Sequence, residues 1–327
     1  MNQRVLTPGL LISILLLSLL MMIGGAALLP CPQPQPTGLC RLASPVALSP
    51  GAQNAIIGIL STIGLCSVLF LINKRYGLLK TGQPFWFSFT LPVLSALLPA
   101  SVFFNSSPVV MGVMLIALMA LYESYKSNNA TRNIFFAASC MAIGSFWQYS
   151  FILFIPAMVA SLFAMHIARL REFMALLLGL LAPYWIVLGF AMPFYPDFYL
   201  QFSFPHFSSL LISGLPTDIF PLAVTVGIMM LTALLLTLYN GIKLYAGNSR
   251  IRNFNNVVNL LGITASIGMI VDTGNFRAYC GIFAMWVALQ LGNLFTLWGL
   301  RYPKFLIRMI LLLLFGAAVA QILYLYN

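Results

Sequence analysis

Charge is what this sequence has least of. Only 6% of its 327 residues are charged, against about a quarter in soluble domains, while 61% are hydrophobic. A water-facing globule could not hide that much apolar surface, so the medium around most of these side chains must be lipid. Acids are scarcer still, five Asp and Glu against sixteen Lys and Arg. The two histidines, His166 and His206, are too few for a four-His iron site, or for a di-metal site without several carboxylates beside them, and no Cys spacing supplies ligands. No metal and no other cofactor is expected. Short alternating segments, the signature of membrane β-barrels, are missing as well, because the apolar runs are continuous and Leu-rich. The expected fold class is therefore all-α: a polytopic helical integral membrane protein, one transmembrane domain over residues 1–327, with no soluble module.

What is present is a series of apolar runs. They fall at 10–29, 52–71, 84–104, 109–121, 134–167, 173–192, 220–239, 257–271, 278–298 and 305–324. As one helix, 134–167 would extend about 50 Å at 1.5 Å per residue, against about 30 Å of hydrocarbon. It must fold back near Gly144 to Tyr149, giving spans at 134–147 and 150–167 and about eleven in all. The run 10–29 is too long for a signal-peptide core, and Ala27-Leu28-Leu29-Pro30 is a poor cleavage site. It is expected to be a retained signal anchor.

Alternating these spans places every Lys and Arg except Arg41 and Arg277 on one side. Basic loops mark the cytoplasmic face, so the N-terminus is expected inside and the C-terminus outside, in a cell inner membrane. The same distribution accounts for the net charge of +11 without invoking nucleic acid. On this topology Cys31 and Cys40 share an oxidising outer loop and are a candidate disulfide. Cys66, Cys140 and Cys280 lie in spans and read as small hydrophobes in helix packing.

Candidate chemistry is confined to three outward turns. The aromatic-rich stretch Phe194 to Phe207 carries Asp197 and His206; it reads as an interfacial collar or as a ligand-binding segment. Asp272-Thr273-Gly274-Asn275-Phe276-Arg277 places an acid and a base in one Gly-containing turn. A surface ion pair there would be unremarkable, but the preceding span, only about fifteen residues, argues that the turn lies deep, where ionisable groups are functional by default. The third turn, Trp147-Gln148-Tyr149, joins two short helices and is an aromatic anchor or a cavity lining. Gln148, Asp197, His206, Asp272 and Arg277 thus form a candidate outer-face pocket.

Within the spans, polar residues are few. Ser61, Thr62, Ser95, Ser139, Thr225, Thr232, Thr264 and Ser266 can each bond the preceding helical turn. Gln290 and Asn293, three apart on one helix face, are the best interhelical pair. Arg308 is close enough to the inner end to snorkel, so the spans carry no midplane charge. That argues against a proton- or cation-coupled transporter.

Several segments carry a resemblance: Ser107-Pro108 onward through Leu121 to Ser127, Phe135-Phe136-Ala137-Ala138-Ser139-Cys140-Met141-Ala142-Ile143-Gly144-Ser145-Phe146-Trp147, Ile155-Pro156, and Arg171-Glu172-Phe173 through Leu178-Gly179-Leu180-Leu181-Ala182-Pro183-Tyr184. Together they resemble a family of multi-spanning Bacteroidetes membrane proteins catalogued as a domain of unknown function. The likeness implies an envelope protein and no activity. More distantly the block is similar to multi-spanning polyprenyl-phosphate-sugar glycosyltransferases, whose catalytic base is an Asp or Glu in the first outer loop. Here that loop, Pro30 to Gly51, holds no acid, so such chemistry would need Asp197 or Asp272.

Three functions follow as expectations. First is a non-catalytic component of envelope assembly or trafficking. The second is a lipid-linked, glycosyltransferase-like transferase with an outward-facing site. The third is a lipid or small-molecule permease, disfavoured by the missing midplane charge and internal repeat. The expected partners are membrane lipid and either other envelope proteins or a lipid-linked substrate.

Overall fold

The computed structural model describes residues 52–79, 106–194, 220–243, 249–272 and 275–296. Among them there is helix and turn and no strand. The helices are α1 (Ala52–Tyr76), α2 (Ser106–Ser124), α3 (Ala130–Trp147), α4 (Ile155–Ala164), α5 (Leu170–Phe194), α6 (Phe220–Lys243), α7 (Ser249–Val271) and α8 (Phe276–Thr296). A 3-10 segment, Tyr149–Phe154, leads into α4. The expected spans at 10–29, 84–104 and 305–324 lie outside the described residues, as do Cys31, Cys40, Asp197 and His206.

Four of these helices are long and apolar enough to cross a membrane: Ile56–Tyr76, Ser107–Ser124, Leu170–Phe190 and Ser249–Val271. Their outward faces agree. Ile56, Leu60 and Ile63 on α1, Leu178, Trp185 and Phe190 on α5, and Ile263, Ile267 and Ile270 on α7 are large and exposed. Rows of this kind at helical spacing would be a liability in water and are ordinary against lipid. The chain is accordingly a helical membrane protein.

Among the described helices, α8 is the most enclosed. It packs on α2, α6 and α7, and every side chain from Ile282 to Leu294 is buried. α3 lies along α2 and α5, α4 against α7, and α1 against α2. Sequence punctuates the ends. Gly77 takes φ +65° just past α1, the left-handed position a C-terminal glycine serves best. Pro156 occupies the first turn of α4, where its missing N–H costs nothing.

The long run 134–167 does break where its length requires. α3 ends at Trp147, Gln148 is extended (φ −141°, ψ 110°), and the 3-10 segment reverses the chain beneath α3. Gly144 permits the reversal. A Cβ there would stand 2.6 Å from the Phe151 ring. The return is complete, since Ala130 at the start of α3 and Met165 beyond α4 line one cavity.

One expectation needs correction. The run 257–271 is only part of α7, which starts at Ser249 and has 23 residues. The extra turns are polar in sequence yet buried at Asn253 and Asn255. Asn255 Nδ2 donates to the Leu78 carbonyl, 3.1 Å, so tertiary partners recruit what the sequence presents as loop. A short span therefore does not explain the depth of Asp272.

Candidate functional site

α7 has a distinct polar cluster at each end, roughly 30 Å apart at 1.5 Å per residue. At its C-terminal end sits Asp272, 8% exposed. The Tyr149 hydroxyl donates to its Oδ2 at 2.6 Å, Tyr279 donates to the same oxygen at 3.1 Å, and Asn275 Nδ2 donates to Oδ1 at 3.2 Å. Asn275 also donates to the Tyr149 hydroxyl oxygen. Three elements are tied here: the C-terminus of α7, the 3-10 segment and the first turns of α8.

Local sequence explains the convergence. Asn275, immediately before α8, and Tyr279, in its first turns, are one helical turn apart and lie on one face. The backbone helps, because the Asn275 N–H bonds the Asp272 carbonyl at 3.1 Å and the Asp272 N–H bonds that of Gly268 at 2.8 Å. Gly268 gives the Tyr279 ring its room; a Cβ would be 2.6 Å from that ring. Burying a carboxylate costs several kcal/mol unless hydrogen bonds replace its water, and neutral donors do so here. With three of about four acceptor positions filled, the carboxylate is committed to the fold.

The five residues expected to line an outer pocket fare differently. Gln148 and Asp272 belong to one network. Gln148 Nε2 donates to Ser150 Oγ at 2.9 Å, Ser150 lies beside the Tyr279 hydroxyl, and Tyr279 reaches Asp272. Arg277 is half-buried with its guanidinium carbon 5.9 Å from the Phe276 ring centroid. Asp197 and His206 lie outside the described residues. Tyr149, Ser150, Asn275 and Tyr279 complete the cluster; spacing on α8 signals the last two, but nothing local links them to residue 149.

A second network crosses the bundle interior. Gln290 Nε2 donates to Asn259 Oδ1 at 2.6 Å, Asn240 Nδ2 donates to Gln290 Oε1 at 2.8 Å, and the Trp286 indole donates to Asn259 Oδ1 at 3.0 Å. It fastens α6, α7 and α8 together. Gln290 is thus interhelical as its sequence position implies, with partners on two other helices. The hydroxyls behave as expected: Ser61 and Thr62 bond Gly58 O, Ser139 bonds Phe135 O and Ser266 bonds Gly262 O. Cys66, Cys140 and Cys280 are free thiols.

At the N-terminal end of α7 the chemistry is reversed. A cavity of about 350 Å³ opens between the α2–α3 turn, the α4–α5 turn and the start of α7, lined by Lys126, His166, Arg169, Glu172, Arg252 and their neighbours. Lys126 and His166 both adopt left-handed backbone, φ 54° and 58°, a costly conformation for residues other than glycine. Beside it lies an aromatic pack. Tyr122 stacks on Phe254 at 4.3 Å and donates to its carbonyl at 3.0 Å, and Arg250 covers the same ring at 5.3 Å.

Among the described residues, no group of three or more His, Cys, Asp and Glu converges as a metal site. No family model, no curated protein and no solved structure matches the chain.

Proposed function

We propose that the chain is an inner-membrane protein of about eleven spans, N-terminus cytoplasmic and C-terminus outside, that serves as a non-catalytic component of envelope assembly or trafficking. One observation carries the reading. Asp272, which among the described carboxylates sits at the opposite end of α7 from the basic cavity, is held by the protein's own Tyr149, Asn275 and Tyr279, so it works as a latch between helices. A general base needs an acceptor position facing its substrate, and here three of about four are already taken by the protein's own donors. The orientation is supported by Lys126, Arg169 and Arg252 meeting at one end of the bundle, which is where basic residues gather on a cytoplasmic face. Expected partners are membrane lipid and other envelope proteins.

A second reading has its own support. Gln148, Ser150, Asp272, Asn275 and Tyr279 form a continuous polar cluster, the kind of constellation from which a lipid-linked transferase with an outward-facing site would be built. The two are separated in a strain lacking the chain, complemented with Asp272→Asn, Tyr149→Phe or Arg277→Gln. Envelope integrity is read as detergent sensitivity and membrane levels by immunoblot. In a scaffold, function follows protein level in every variant. Loss of function at an unchanged level would replace the scaffold with the transferase.

A further inference from the structure

The basic cavity at the N-terminal end of α7 has a feature its cations do not explain. Glu172 is 8% exposed, lines the cavity, and its Oε2 is buried with no hydrogen-bond partner among the described residues. A carboxylate oxygen enclosed in this way is costly unless a donor reaches it from elsewhere. Around it stand Lys126, Arg169 and Arg252, three cations to one anion. Such a site attracts anions, and guanidinium groups suit phosphate oxygens. A bare anion would satisfy the cations and repel Glu172. A ligand that is anionic on one side and a donor on the other would satisfy both. The volume lies within the range of small-ligand sites.

We propose that this cavity binds a phosphate-bearing group with a neighbouring hydroxyl or ammonium, the phosphate held by Arg169, Arg252 and Lys126 and the donor received by Glu172. The inference is independent of the choice between scaffold and transferase, which rests on the opposite end of α7. The chemistry is shared by a phospholipid headgroup entering from the bilayer and by a soluble phosphate ester.

The test uses the purified full-length chain in phosphatidylcholine nanodiscs, titrated calorimetrically with glycerol 3-phosphate and with inorganic phosphate. In parallel, native mass spectrometry measures retention of phosphatidylglycerol, whose headgroup carries hydroxyls, against phosphatidylcholine, which has no such donor. The wild-type chain is expected to prefer the donor-bearing member in one or both arms. Preference for glycerol 3-phosphate alone identifies a soluble ester, preference for phosphatidylglycerol alone a lipid headgroup, and preference in both arms a site open to each. No preference in either arm overturns the proposal.

Glu172→Gln should move the two soluble ligands in opposite directions. Removing the like charge strengthens inorganic phosphate binding several-fold, while losing the charged acceptor weakens glycerol 3-phosphate about tenfold; if the lipid is the ligand, its preference over phosphatidylcholine falls by a similar factor. Where the soluble ligands bind, movement of both in one direction, or of neither, sinks the role given to Glu172; where only the lipid binds, an unchanged lipid preference does. Arg169→Gln and Arg252→Gln alter exposed side chains, so they remain testable if the buried substitution does not fold. Each should weaken the preferred ligand about tenfold at an unchanged unfolding midpoint. Unchanged binding in both would leave a charged turn with no ligand and end the proposal.

Discussion

The two ends of α7 solve the problem of a buried carboxylate in opposite ways. Asp272 accepts from three neutral donors belonging to the protein, and the Tyr149 hydroxyl is itself tied to Asn275. Glu172 is as deeply buried, yet one oxygen has no partner among the described residues and its neighbours enclose a cavity. The first arrangement is closed, and its removal should be felt as lost stability. The second is open, and its removal should be felt as lost binding. The difference teaches that burial of an ionisable group does not by itself mark a site; what matters is whether the fold has already filled its hydrogen-bonding positions.

The closed end should yield the largest effects. Gly268→Val places a branched side chain where even a Cβ would be 2.6 Å from the Tyr279 ring, so α7 and α8 must separate or Tyr279 must leave Asp272. Overpacking of this kind costs about 3 kcal/mol, read as a marked fall in the SDS-unfolding midpoint. A wild-type midpoint would mean that the α7–α8 seam is loose. Asp272→Ala follows, at about 2 kcal/mol, because it strands two buried tyrosine hydroxyls without an acceptor. Tyr149→Phe removes one donor of three and should cost about 1 kcal/mol. If Tyr149→Phe proves as damaging as Asp272→Ala, the knot depends on the tyrosine rather than the acid, and the comparison between the two carboxylates loses its basis.

That contrast could be read from the sequence only in part. The helical class, the break at Gly144 to Tyr149 and the back-bonded hydroxyls follow from composition, length and local geometry, and all are local properties. Gln290 was recognisable because an amide deep in an apolar run needs a partner. Its partners Asn240 and Asn259 were harder to see, since Asn240 sits near a helix end and Asn259 in a stretch already rich in Asn. The start of α7 was hidden for the same reason: Ser249 to Asn256 has a loop's composition, and only contacts such as Asn255 to Leu78 make it helix. Asp272 and Tyr149 are 123 positions apart. No periodicity relates them, because their meeting depends on how α3 and the 3-10 segment seat against α7 and α8.

The open end should be almost silent in stability. Among the described residues its exposed cations share the cavity with one carboxylate, Glu172, so neutralising one removes as much repulsion as attraction. Arg252→Gln is expected to shift unfolding by less than about 0.5 kcal/mol, several-fold below the loss at Asp272→Ala. A loss comparable to Asp272→Ala would show that the cavity wall is structural, and the distinction between a closed and an open end would fail.

An equally small effect belongs to a contact that looks strong on distance alone. Arg75 and Glu123 form an ion pair at 2.6 Å joining α1 to α2, but their side chains are 62% and 41% exposed. Water and salt screen the pair, and ordering two long side chains offsets much of the Coulomb gain. Glu123 also accepts from the Tyr76 hydroxyl at 3.2 Å, and Tyr76 packs edge-on against Tyr122 at 5.2 Å, so the helices stay joined without the arginine. Arg75→Gln is therefore expected to cost no more than about 0.5 kcal/mol, and the loss should vanish in high salt. A larger, salt-insensitive loss would mean that Arg75 acts through its packing over the Tyr76 ring, where its guanidinium carbon lies 5.6 Å from the centroid, and that part of the basic end is built for stability after all.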